Sequence, residues 1–137
     1  MVNISLADSY YKRAKIRAEI LKEFVKREDF ADVVREAQEV VELLQKAILI
    51  KVGIEPPKWH DVSDIILENI DRFPESVREK LRKLKTESKW LRSQRETAFY
   101  GSMDIIPEEY YTEKDAQRAI DTVKGYLSIA KSVMNET

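Results

Sequence analysis

Apolar side chains recur every three or four residues along most of the chain, which is the spacing of an α-helix with one buried face. The clearest example runs from Phe30 to Val52, where Asp29 is placed to cap the first turn and Gly53 to end the last one. The face predicted to be buried consists of Phe30, Val33, Val34, Ala37, Val40, Val41, Leu44, Ala47 and Ile48. This pattern is typical of a core helix in a bundle.

Four further helices follow from the same spacing, together with capping and breaking residues. The first covers about residues 6–27 with Ser5 as its cap, and a short helix follows the capping residue Asp61. A long helix has Pro74 in its first turn and stops at Gly101. After a loop at residues 102–111, the last helix is predicted from Ala116, Ala119, Ile120, Val123, Leu127, Ala130 and Val133.

These elements predict the fold class. No alternating apolar and polar stretch of strand length is bounded by turn residues, so no sheet is expected. With 137 residues the chain has the length of one domain. We therefore expect an all-α fold, an up-and-down antiparallel bundle of about five helices, forming a single domain over residues 1–137.

Composition excludes several classes of site. The chain has no cysteine and one histidine, which excludes disulfides, thiolate metal sites, cysteine nucleophiles and multi-histidine metal centres. Glycine-rich phosphate loops are absent, and carboxylate pairs such as Glu36–Glu39 are expected to be helix-surface charge, so neither a metal nor a cofactor is expected. No stretch approaches the ~20 apolar residues of a membrane span and no secretory signal is visible, which favours a cytoplasmic protein without membrane contact. The high share of charged residues, 36%, suits the surface of a thermophilic protein.

Charge is unevenly distributed, although the net charge is −1. Residues 12–27 hold seven basic and two acidic side chains, and residues 78–95 hold eight basic and two acidic ones. Two basic helices would form a positive surface for a phosphate-bearing partner such as a nucleotide or RNA. The alternative is that these charges form ordinary solvated helix faces.

Arg95 stands out in the long helix that begins at Pro74. When the apolar stripe is followed from Val77 at about 100° per residue, Arg95 lies five full turns later, in the middle of the stripe. Because an unpaired guanidinium is costly to bury, we expect Arg95 to face a carboxylate, a subunit interface or an anionic ligand. Arg92 and Lys89 of the same basic helix join it as candidate phosphate-binding residues.

Two other side chains are candidates for proton transfer or for packing. His60 is the only imidazole, and it either packs beside Trp59 in a proline-rich connector or acts as a general base. Tyr100 lies about 140° around the helix from Arg95, so the two need not share a face. Tyr100 either closes the rim of the bundle or meets the arginine motif of a second copy in a dimer.

Three stretches, taken in order, resemble the HEPN domain family, named for its presence in higher eukaryotes and prokaryotes and for its suspected nucleotide binding. Together they span nearly the whole chain in the family's order. The stretches are residues 30–42 (FADVVREAQEVVE), residues 52–62 (VGIEPPKWHDV) and residues 95–101 (RETAFYG), the last followed by Pro107, Tyr111 and the Asp115-Ala116 start of the final helix.

The resemblance implies a helical bundle that is commonly dimeric and often encoded beside a minimal nucleotidyltransferase as a two-component pair. In several such pairs the HEPN protein is an RNase toxin that the nucleotidyltransferase neutralises. The RNase-active members carry an arginine followed, after four to six residues, by a histidine, and both motifs meet at a dimer interface. Arg95 matches the arginine, whereas Tyr100 stands at the histidine position with a four-residue gap, and no histidine follows Arg95.

This departure favours a binding protein over a nuclease. Metal-independent RNA cleavage needs a group that moves the 2′-hydroxyl proton near neutral pH, and a phenol with a pKa of about 10 does this poorly. Our leading hypothesis is a homodimer, formed through the helix of Arg95, that binds a nucleotide or RNA phosphate at Arg95 and pairs with a minimal nucleotidyltransferase. The alternatives are a metal-independent RNase using Arg95 with Tyr100 or His60, and a purely structural interaction bundle in which Arg95 forms an interface salt bridge.

Overall fold

The computed structural model describes residues 3–58 and 61–135, and its regular structure there is entirely helical. The helices are α1 (Ile4–Lys26), α2 (Phe30–Lys51), α3 (Val62–Glu68), α4 (Glu75–Tyr100), α5 (Pro107–Tyr110) and α6 (Glu113–Val133), with a 3₁₀ turn at Ile70–Arg72. Within the described ranges, none of these helices combines the length and the apolar character needed to cross a lipid bilayer. The prediction of an all-α helical bundle is confirmed, with one short helix more than the five expected.

Helix α2 forms the centre of the bundle because nearly all of its faces are covered. It packs against α1, α4 and α6, and the short helices α3 and α5 also contact it. Every predicted core position on this helix is buried except Phe30, which is partly buried. Burial of this continuous apolar surface is the main source of stability for the fold.

Polar caps fix where the helices begin. Asp29 and Asp61 cap α2 and α3 as predicted, with side-chain oxygens that accept backbone N–H bonds at 3.2 and 2.9 Å. For α1 the predicted cap Ser5 was wrong, since Asn3 caps the helix by accepting from the backbone N–H of Leu6 at 3.2 Å. Asparagine and serine are nearly equivalent caps, so composition alone does not choose between two candidates that lie two residues apart.

Gly101 shapes the segment between α4 and α6. It ends α4, as predicted, with a φ of 71° and a ψ of −155°. A Cβ atom at this position would collide with the carbonyl oxygen of Ile105 and with the ring of Pro107, so the chain turns here only because glycine has no side chain. Pro107 then begins α5, which the sequence did not reveal because one helical turn is too short to show a period.

Three buried polar side chains join α2, α4 and α6. The amide Nε2 of Gln45 donates to Oγ of Ser88 at 2.7 Å, and Tyr126, only 2% exposed, is hydrogen-bonded to both residues. Burial raises the pKa of Tyr126, and these two hydrogen bonds lower it by less. The network fixes α4 against α2, and these two helices carry the candidate site.

Candidate functional site

Arg95 lies at the edge of the α2–α4 interface. Its side chain is 58% exposed, so a position in line with the apolar stripe does not bury it. Of the groups that Arg95 was expected to face, the structure shows carboxylates, those of Glu39 and Glu42 on α2. The buried residues of α4 are Val77, Leu81, Ser88, Leu91 and Ala98. Arg95 leaves the stripe because its flexible stem reaches solvent, and because α2 presents glutamates instead of apolar side chains at this level.

Two carboxylates of α2 lie beside the Arg95 guanidinium. Its Nη2 is 3.8 Å from Oε1 of Glu39, and its Nη1 is 3.9 Å from Oε2 of Glu42. Both distances exceed hydrogen-bond length, so these are loose electrostatic contacts. The guanidinium is therefore oriented by α2, while its N–H donors remain available to another acceptor.

Arg95 lines a groove between α2 and the C-terminal half of α4, which we call the arginine groove. Its volume is about 490 Å³. The lining residues are Arg35, Glu39, Arg92, Ser93, Arg95, Glu96, Phe99 and Tyr100. Three guanidinium groups against two carboxylates, beside two aromatic rings, suit an anion that carries a planar ring.

Two aromatic rings form part of the wall of the arginine groove. The guanidinium carbon of Arg35 lies 4.3 Å from the centre of the Phe99 ring. The Phe99 ring meets that of Tyr100 edge-on, with centroids 4.6 Å apart. Because Tyr100 is 76% exposed, its ring is accessible for stacking by a nucleobase or another planar group.

Arg95 and Tyr100 both line the arginine groove, although their helical positions alone did not require this. The described part of the chain places no imidazole in the groove, and the predicted packing of His60 beside Trp59 lies outside the described residues. Among the described residues, no group of three or more histidine, aspartate or glutamate side chains is arranged to hold a metal ion. The chemistry available in the groove is therefore that of guanidinium, carboxylate and phenol.

The carboxylates of α3 and its cap lie closer to Lys89 than to Arg92. The Nζ of Lys89 lies 2.9 Å from Asp64 and 3.1 Å from Asp61, and these hydrogen bonds raise the pKa of Lys89. Burial would raise the pKa of Asp61, but hydrogen bonds from Ser63 and Lys89 outweigh it and lower that pKa. Arg92 lines the arginine groove and has its Nη1 4.0 Å from Asp61. Lys89 thus ties α4 to α3 outside the groove, and Arg92 is placed to support Arg95.

Sequence reasoning missed Arg35, Glu39 and Phe99. Helix spacing places Arg35 and Glu39 one turn apart on α2, but only the packing of α2 against α4 puts Glu39 beside Arg95. The interpretation of the Glu36–Glu39 pair as surface charge was wrong for Glu36, which is buried and pairs with Arg17 of α1 at 2.9 Å. The i, i+4 spacing of Arg35 and Glu39 was the one local signal that both side chains lie on the same face of α2.

Asp32 lies one turn before Arg35 on α2 and has a strongly perturbed pKa. Burial, the hydrogen bond to Asp29 and the charge of Asp29 raise the pKa of Asp32 to about 6, and the positive charge of Arg35 opposes this shift. The charge of Glu108 on α5 acts in the same direction as that of Asp29. The start of α2 therefore carries a carboxyl group whose pKa lies closer to neutral pH than that of an ordinary aspartate.

The stability of the protein is expected to fall as the pH rises from about 4 to about 6, because of Asp32. Its folded-state pKa of about 6 lies above the ordinary value of 3.8, so the folded state binds more protons than the unfolded state in this range. The stabilisation from Asp32 is complete at a pH below 3.8, its ordinary pKa, and is lost as the pH rises past about 6, its pKa in the folded protein. The measurement is the free energy of unfolding in urea at several pH values between about 4 and 6. Asp32→Asn should make this free energy depend less on pH, while Asp71→Asn, at an exposed position, should not. Equal flattening by both substitutions would contradict the assignment to Asp32.

Comparison with known proteins gives two matches. Residues 7–133 match the HEPN domain family. The chain is 29% identical over 141 residues to a Methanocaldococcus jannaschii protein named "Putative toxin MJ1304", and the match covers 98% of this chain and 91% of that protein. No solved structure matches the chain. The family match includes α2 and α4 in full, and therefore both walls of the arginine groove.

Proposed function

The chain belongs to the HEPN family, and from that premise we propose that it is the phosphate-binding, toxin-like member of a two-component pair. It binds a nucleotide or an RNA phosphate in the arginine groove, forms a homodimer through the C-terminal end of α4, and pairs with a minimal nucleotidyltransferase. The observation that carries the proposal is the exposed guanidinium of Arg95, which lies in a groove with two further arginines and two aromatic rings.

A phosphate can replace the carboxylates beside Arg95 at small energetic cost. The contacts with Glu39 and Glu42 are long, at 3.8 and 3.9 Å, and exposed ion pairs contribute only about 0–1 kcal/mol. A bidentate guanidinium–phosphate pair forms two charge-assisted hydrogen bonds, which the long contacts with Glu39 and Glu42 do not. Since the arginine groove is lined by three arginines and only two glutamates, its charge also favours a phosphate.

The same end of α4 supports the proposed homodimer. Large apolar side chains that are about half exposed or more gather there and in the following loop. They are Phe99, Tyr100, Met103, Ile106 and Tyr110. Exposed apolar clusters of this kind are typical of protein–protein contacts. A second copy docked on this cluster would bring two arginine grooves together, as the family resemblance implies for its RNase-active members.

Tyr100 supports binding rather than cleavage as the activity of the groove. It occupies the position of the histidine in the arginine–histidine motif, and its phenol is a weak base for the 2′-hydroxyl proton near neutral pH. The toxin-like assignment draws on the name of the Methanocaldococcus jannaschii relative. A protein that retains the groove without the imidazole would act by holding RNA or nucleotide phosphates.

Arg95→Ala is expected to weaken the binding of a short, fluorescein-labelled single-stranded RNA at least tenfold, because it removes the bidentate phosphate contact. The slope of log K against log salt concentration should also fall by about one phosphate contact. Fluorescence anisotropy in EDTA measures both quantities. Arg82→Ala is the matched control, since Arg82 is an exposed arginine of α4 outside the groove. Equal affinities for the wild type and Arg95→Ala would overturn the proposal.

A metal-independent RNase is the second candidate, favoured by the shared position of Arg95, Tyr100 and Glu39 in one groove. The same labelled RNA distinguishes the two functions when its integrity is followed on a gel. Cleavage by the wild type in EDTA that disappears in Arg95→Ala would replace the binding proposal with the nuclease. Intact RNA together with Arg95-dependent anisotropy supports binding.

A further inference from the structure

A second groove runs between α1 and α6 and shares no lining residue with the arginine groove. Its volume is about 810 Å³. It extends from Tyr11 to Val25 along α1, which corresponds to about 21 Å at 1.5 Å per residue. It exists because α1 and α6 both pack mainly on α2 and touch each other little. The apolar side chains of its floor include Ala18, Leu21, Ile120, Val123 and Leu127.

Lysines line both walls of this groove at a spacing of two helical turns. Lys15 and Lys22 come from α1, and Lys124 and Lys131 come from α6. Glu19 is the one acidic residue in the lining. Within the described ranges, Lys22, Lys124 and Lys131 form no ion pair, and four lysines against one glutamate give the lining a positive charge. We call this feature the lysine-rimmed groove.

We propose that the lysine-rimmed groove binds an acidic amphipathic helix of a second protein. An apolar seam on such a helix would cover the floor, and aspartates or glutamates on both sides of the seam would meet the lysines of α1 and α6. A helix of about 14 residues matches the length of the groove. Helix-in-groove recognition of this kind uses anchors at positions i, i+3, i+4 and i+7.

Charge and shape argue for this occupant over two others. A second copy of the chain, docked through the same face, would place lysines against lysines, because a two-fold interface repeats one surface on both sides. A small amphiphilic anion shares the chemistry, but it would cover only part of a groove about 21 Å long with a volume of about 810 Å³. A helix from another protein satisfies both the apolar floor and the positive rim.

The probe is a synthetic, hydrocarbon-stapled peptide with leucines at i, i+3, i+4 and i+7 and glutamates flanking them, labelled at its N-terminus. One control peptide replaces the glutamates with lysines, and another scrambles the sequence so that the leucine seam is lost. Anisotropy titrations of the intact protein should show saturable binding of the acidic peptide that weakens as salt is raised. Both control peptides should bind at least tenfold more weakly.

Reversing the charge of lysines in the lysine-rimmed groove tests whether the peptide binds there. The double substitution Lys22→Glu and Lys124→Glu should weaken acidic-peptide binding at least tenfold and create binding of the lysine-flanked peptide. The matched control, Lys80→Glu with Lys83→Glu, makes the same charge change on the exposed face of α4 and should leave both affinities unchanged. All four lysines are exposed, and far-ultraviolet circular dichroism verifies that each variant folds.

Three outcomes would overturn the proposal. The first is an absence of acidic-peptide binding, or equal binding of the acidic and scrambled peptides. The second is an equal loss of binding in the two double variants, which would indicate general electrostatic attraction. The third is a change in sedimentation caused only by the groove variant, which would identify a second copy as the occupant. Because the two grooves share no residue, failure here is distinguishable from failure of the phosphate-binding proposal.

Discussion

Replacing Tyr100 with histidine is expected to raise metal-independent RNA cleavage by a factor of about 10²–10⁴, the usual contribution of one general base. Position 100 lines the same groove as Arg95, so an imidazole there would lie beside the group proposed to hold the phosphate. A histidine with a pKa near 6.5 can take the 2′-hydroxyl proton at neutral pH, which the phenol does poorly. The measurement is the cleavage rate of a labelled RNA in EDTA, compared between the wild type and Tyr100→His.

Two further variants separate a true active site from an incidental imidazole. Arg82→His places the same side chain on α4, at an exposed position outside the arginine groove and outside the proposed dimer surface, and should give no gain. Adding Arg95→Ala to Tyr100→His should abolish the gain, because the phosphate is then no longer held. A rate unchanged by Tyr100→His would show that the groove is not an RNase site lacking only its base. Such a result would leave phosphate binding as the sole activity proposed for the groove.

Leu44→Ala is expected to lower the free energy of unfolding by about 2–5 kcal/mol. Leu44 is fully buried on α2, the helix that α1, α4 and α6 all pack against, so the cavity left by truncation is not expected to be filled by a small shift of one neighbour. Urea unfolding followed by circular dichroism measures the change. The control is Ile16→Ala on α1, which removes the same number of carbons from a side chain that is 55% exposed and should change stability by no more than about 0.5 kcal/mol. Similar losses in both variants would contradict the central position of α2.

Much of the fold was predictable because helical periodicity is a local property. The buried face of α2 and its cap Asp29 followed from spacing and side-chain chemistry alone. Gly101 was predictable as a helix end because helices often end at a residue with positive φ, a conformation that glycine adopts easily. The cap of α1 was not predicted correctly because serine and asparagine, the two neighbouring candidates, are chemically equivalent as caps. Helix α5 was not predicted because a single turn is too short to show a helical period.

The site was only partly predictable because it is made by packing between helices. Arg95 was identified as unusual for its position in α4, and the structure shows that its exposure, not its burial, is the distinctive property. Glu39 and Arg35 belong to a helix that contacts α4 across the bundle, and no spacing rule within one helix reveals such neighbours. Lys89 looked equivalent to Arg92 in the sequence, but only the structure shows that Asp61 and Asp64 engage it.

The central position of α2 has a consequence for how the chain matures during synthesis. The α1–α2 hairpin leaves the ribosome before α4 and α6, and it can form early because its helices are adjacent in the sequence. The sides of α2 that face α4 and α6 then stay uncovered until each of these two helices emerges in turn. A growing chain therefore displays an apolar strip on α2 until α6 has emerged, which is the kind of surface that holding chaperones bind. The arginine groove is built from α2 and α4, so a growing chain that holds only the α1–α2 hairpin has no such groove, and the groove can form only after α4 has emerged.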